Sequence, residues 1–135
     1  MTMNLSSPSR PRAAIVAAIV AVLFGFLTLK SGGAVLFFDG PARAEAGAYV
    51  PFVIWFNFLA GFAYIFAGMG LFLWRSWAAK LSLAIAVATV VVFVAFGFHI
   101  LAGGDFEVRT VGAMSLRSVV WLSIAFFTRK AWIMG

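Results

Sequence analysis

Cysteine is absent from the 135 residues, so disulfides, thiolate metal sites and thiol redox chemistry are excluded, while the compartment stays open. Charge is nearly as scarce: 10% of residues are Asp, Glu, Lys or Arg, the acids number four, and there is one histidine. A soluble domain carries about 25% charged and about 45–50% apolar residues. Here 64% are apolar and the mean hydropathy is +1.09. That leaves too little polar surface to cover a water-soluble globule, and the lipid bilayer is the expected solvent. Paired histidines, an HExxH motif, a phosphate-binding loop, a dinucleotide fingerprint and a Ser-His-Asp arrangement are missing too. One histidine with one or two carboxylates is thin for a metal. No catalytic residue, metal or cofactor is therefore assigned.

What is present is basic. Ten Lys and Arg against four acids give a net charge of +6 and a pI near 10.9. A nucleic-acid partner is not inferred from this, because the basic residues stand singly or in pairs between apolar runs. Residues 1–12, MTMNLSSPSRPR, are polar and read as a disordered cytoplasmic tail. A basic start before an apolar run also fits a signal peptide. The run from Ala13 to Leu29 is longer than the usual signal core, however, and no small-x-small site follows Lys30. Residues 13–135 are expected to form an all-α integral membrane four-helix bundle, with helices at about 13–30, 49–74, 81–102 and 106–128. Gly32 and Gly33 either break the first helix or lie inside one that continues to Phe38. Asp39 to Ala48 is a loop.

Three helices carry small or polar residues on one face: Ala17, Ala21 and Gly25; Asn57, Gly61, Tyr64 and Gly68; Ala84, Ala88, Ala95 and His99. Such faces let backbones approach in lipid and are expected to face protein. Arg75, Ser76, Trp77 and Lys80 read as a turn, with Trp74 and Trp77 in an interface belt. Gly103 and Gly104 close the third helix, and Asp105 is placed to cap the fourth. Arg10, Arg12, Arg75, Lys80, Arg129 and Lys130 fall on one side, and all four acids on the other. The positive-inside rule then places both termini in the cytoplasm. The four-span layout is similar to that of many small bacterial membrane proteins, which makes the cell inner membrane the expected location. No motif ties the chain to one family.

The unusual chemistry lies between His99 and Arg117. His99 and Arg109 flank the Gly-Gly-Asp turn at similar depth, while Arg117 lies about 16 Å along the fourth helix. An arginine near mid-membrane costs about 2.5–3.5 kcal/mol on insertion scales, so it is expected to point inward and to have a partner. Glu107 or helix-end carbonyls are structural partners for it, and an anionic guest is the functional one. With Lys30 and Asn57 the inference is an outward-facing polar pocket lined by Lys30, Asn57, His99, Glu107, Arg109 and Arg117. Cations outnumber Glu107 there, which favours an anionic small molecule or lipid.

Three functions fit. The first is a non-enzymatic accessory or oligomerising subunit, packing as a homo-oligomer or within a larger membrane complex. The second is a binding or transport protein for a small anionic or amphipathic ligand. The third is a membrane enzyme or redox protein using His99 and Glu107.

Overall fold

The computed structural model describes residues 11–38, 40–41, 44, 47–48 and 50–134, with side chains to residue 131. Residues 1–10 of the expected tail lie outside the described residues, as do most of those between Asp39 and Tyr49. The described residues are all-helical, in four helices: α1 (Arg12–Phe37), α2 (Pro51–Phe72), α3 (Ser76–Leu101) and α4 (Val108–Met134). Each is long and apolar enough to cross a membrane. Successive helices run antiparallel. The connections after α1 and after α3 share one end of the bundle, here the loop end. The tight turn after α2 lies at the other, here the terminal end.

The boundaries differ from expectation in three places. α1 does not stop at Lys30 but passes through Gly32 and Gly33 to Phe37, because Gly32 packs against Phe58 of α2, its would-be Cβ lying 3.2 Å from Phe58 Cβ. Lys30 is therefore within a helix rather than at its end. α3 begins at Ser76 rather than at 81, and α4 continues to Met134 rather than ending near 128. The start of α3 follows from a very short turn. The Arg75 amide bonds the Gly70 carbonyl at 2.9 Å and the Trp74 amide bonds Leu71 at 3.1 Å. This is a Schellman closure with Trp74 in the left-handed position at φ 53. Trp74 is 5% exposed and sits in the core, so it is not in an interface belt; Trp77 is exposed. The same closure recurs at the end of α3, where Gly103, at φ 88, takes the left-handed position and the Gly104 amide bonds His99 O at 2.9 Å. Asp105 is not the cap of α4, since Glu107 is the residue before its first turn.

The tightest packing is between α1 and α2. The buried stripe of α1 is Ala14, Ala18, Ala21, Gly25, Thr28, Gly32 and Val35. It follows a 4-3 alternation, which shifts it by one residue from the expected Ala17 face at the start of the helix. Val53, Gly61, Tyr64 and Gly68 answer from α2. A Cβ on Gly25 would lie 2.8 Å from the Gly61 carbonyl oxygen, and one on Gly68 would lie 3.0 Å from that of Ala18. The two backbones touch, as small-residue faces allow in lipid. On α3 the buried face is Ala78, Ser82, Ile85, Ala86, Thr89 and Phe96. The expected Ala84–Ala95 face is exposed or half-buried instead. Ser82 and Thr89 turn their hydroxyls inward beside Ala78 and Ala86, whereas Ala84, Ala88 and Ala95 stay outside, because an alanine loses nothing against lipid. Trp121, Ile124 and Ala125 of α4 complete a core around Tyr64, Leu71 and Trp74 that fills the terminal half of the bundle.

Gly25→Leu should therefore push α1 from α2 and cost about 1–3 kcal/mol or more. Gly97→Ala, at a helical glycine with nothing within 4 Å of a new Cβ, should be neutral or mildly stabilising. Thermal unfolding of the two variants in detergent separates the outcomes. Equal midpoints would refute the close-packing account.

Candidate functional site

In the loop half, α1, α2 and α4 do not close on one another. They enclose a cavity of about 410 Å³. α1 contributes Thr28, Ser31, Gly32 and Val35 to its wall, and α2 with its preceding residue contributes Val50, Val53, Ile54 and Asn57. Glu107, Arg109, Thr110, Ala113 and Arg117 come from α4 and its start. Of the six residues expected to share a pocket, Asn57, Glu107, Arg109 and Arg117 line this one. Lys30 and His99 do not. Lys30 is exposed, and at about 100° per residue it lies on the far side of α1 from Thr28.

Arg117 forms the floor. It lies nine residues into α4, about 14 Å from the loop end. Its Nη1 donates to Thr28 Oγ1 at 3.0 Å and to Tyr64 Oη at 3.3 Å. The guanidinium carbon stands 5.0 Å from the Phe24 ring centre and 5.8 Å from that of Tyr64. Cation–π contacts contribute about 0.5–2 kcal/mol each, so with two hydrogen bonds they offset the insertion cost of an arginine. They do not cancel its charge. Among the described residues no carboxylate pairs with Arg117, its Nε is buried without a partner, and both its hydrogen bonds come from Nη1. The expected pairing with Glu107 is not made, because ten helical residues put the two about 15 Å apart along α4. Just below, the rings of Tyr64 and Trp121 lie 4.9 Å apart at a 31° tilt, both fully buried in the core of the terminal half.

Glu107 stands at the mouth. Its Oε1 accepts the Ala48 amide at 2.9 Å, tying the α1–α2 connection to the start of α4. Asn57 lines the wall, and its Oδ1 is buried without a donor. An unsatisfied buried carbonyl costs about 1–3 kcal/mol. His99 is half-buried between Phe52 and Phe96, and its Nε2 lies 2.9 Å from the Asp105 carbonyl oxygen. That bond holds the 102–107 turn together, and no hydrogen bond joins His99 to Glu107. Among the described residues no three His, Cys, Asp or Glu stand close enough to hold a metal.

Sequence reasoning missed Thr28 and Ser31 in the wall, and it put Thr110 on the face of Arg109 and Arg117 without naming it in the pocket. Thr28 carried a readable signal, as a hydroxyl on the small-residue stripe of α1. Tyr64 was placed on the inner face of α2 but not recognised as a partner of Arg117. Comparison with known protein families, curated proteins and solved structures finds no match for this chain.

Glu107→Ala should free the Ala48 amide without disturbing the buried core. Hydrogen exchange at Ala48 is expected to speed by about tenfold, the equivalent of about 1.4 kcal/mol. Unchanged exchange there would mean that Glu107 does not hold the connection.

Proposed function

We propose that this protein is a multi-pass membrane protein that binds a small anionic group, a carboxylate or a phosphate ester, in the cavity floored by Arg117. The observation that carries this reading is Arg117 itself. Its charge is held near mid-membrane by hydroxyls and rings, with no carboxylate among its described partners. A guest anion takes hydrogen bonds from Arg117 and from the hydroxyls of Thr28, Ser31 and Thr110, and charge-assisted bonds of this kind are roughly twice as strong as neutral ones. We read the site as a blind cup, because the buried core that begins with Tyr64 and Trp121 lies beneath Arg117. Binding is thus the simpler role, and transport needs that core to part.

This reading is favoured over an accessory or oligomerising subunit by the use made of the small residues. The faces of α1 and α2 that pointed to a protein partner pack against each other within the chain. It is favoured over His99–Glu107 chemistry because each of those side chains is engaged in holding a connection. In the proposed setting, the cell inner membrane with both termini cytoplasmic, the cup faces outward.

The test is a thermal shift in non-ionic detergent with acetate, benzoate and inorganic phosphate. A binding anion should raise the wild-type midpoint by a few degrees, since binding to the native state alone stabilises it by about 2.7 kcal/mol at a hundredfold excess over Kd. The rise should vanish in Arg117→Gln, and an equal rise in both proteins would sink the proposal. For the orientation, a cysteine replacing Ala44 should react with an impermeant maleimide from outside intact cells. One replacing Ser76 should react only after permeabilisation; the reverse pattern would invert the topology.

A further inference from the structure

The cavity has a side as well as a mouth. Its α2 wall is closed, with Val50 and Val53 buried and Ile54 half-buried. Ser31 of α1 and Ala113 of α4 line the same cavity and are nevertheless exposed. The close helix pairs are α1 with α2, α2 with α3 and α3 with α4, and α1 and α4 have no comparable packing. The cavity therefore opens through a slit between α1 and α4. Ser31 lies six residues from the end of α1 and Ala113 five from the start of α4, so the slit begins about 8–9 Å inside the loop end. At that depth both flanking helices are of membrane-spanning composition, so a bilayer matched to those apolar spans puts hydrocarbon rather than water against the slit.

The route through the mouth has a different character. It passes Glu107 and Arg109, whose opposite charges leave no net attraction for an incoming anion. The floor offers a single guanidinium, since Arg109 is eight residues, about 12 Å, nearer the loop end. One cation suits a monoanion, and a wall of Val35, Val53 and Ile54 above it suits methylene groups.

We infer that the guest of the Arg117 cup is a single-chain, monoanionic amphiphile, a long-chain carboxylate, which enters sideways from the lipid between α1 and α4. Its head accepts hydrogen bonds from Arg117 and Thr28, and its chain leaves through the slit past Ser31 and Ala113. This rests on the reading of the cup as an anion site and adds the chain and the route. No bond is made or broken in the process.

The test uses the full chain in phosphatidylcholine nanodiscs, with radiolabelled palmitate as the long-chain probe and benzoate as the short one. Palmitate should bind saturably at one per chain, and an excess of benzoate should displace it poorly. Arg117→Gln should weaken palmitate by about tenfold or more, the loss of one charge-assisted contact. Ala113→Phe narrows the slit at an exposed position one turn above Arg117. It should weaken palmitate by a larger factor than it weakens benzoate. If benzoate binds as tightly as palmitate, dependent on Arg117, and Ala113→Phe weakens the two alike, the lateral amphiphile is wrong and the anion cup stands. If neither probe depends on Arg117, both fall.

Discussion

The structure depends on how closely α1 and α2 approach. At Gly25 and Gly61 the two backbones are in contact, and again at Ala18 and Gly68. Within lipid there is no hydrophobic drive to bring helices together, so packing of this kind has to supply the association. The approach has a geometric consequence. The small-residue face of α1 is occupied by α2, so α4 reaches α1 only through long side chains. In the terminal half Trp121 fills the intervening space, and the core there is solid. In the loop half no residue of that bulk stands on α4, and the space stays open as the cavity.

Arg117 sits where the solid and open halves meet. It is long enough to cross from α4 to both α1 and α2, and Thr28 and Tyr64 supply the two acceptors. Below it lies a buried aromatic pair, and above it a cavity whose walls mix hydroxyls with Val35, Val53 and Ile54. The same side chain thus closes the bundle and floors the cup. A hydrophobic residue of equal reach would fill the gap at less cost, because an isolated charge in a low-dielectric setting is expensive even when hydrogen-bonded. Retaining the charge without a carboxylate beside it is what points to a guest.

The connections reinforce this arrangement at the loop end. Glu107 holds the Ala48 amide across the mouth, and His99 holds Asp105 across the neighbouring turn. Both residues stood out in the sequence as chemically interesting, and both do structural work at the rim. Asn57, expected in the pocket, lines its wall with Oδ1 buried and without a hydrogen bond.

Hydropathy and charge placement alone determined that the chain has four apolar helices, with the polar chemistry concentrated from His99 to Arg117. They also marked Arg117 as the residue needing explanation. These properties are local: apolar run length and the cost of a buried charge do not depend on which helix stands beside which. Helix ends were less legible. Gly32 and Gly33 look like a break until Phe58 packs on them, and Trp74 gives no sign that it adopts the left-handed position glycine usually takes. Membership of the site was decided only by tertiary structure. Depth along each helix can be counted from the sequence, but rotation about the helix axis is set by packing partners. Lys30 lies at a plausible depth and faces away, whereas Thr28, two residues earlier, faces Arg117. The slit between α1 and α4 is a property of helix pairing and has no counterpart in any single stretch of sequence.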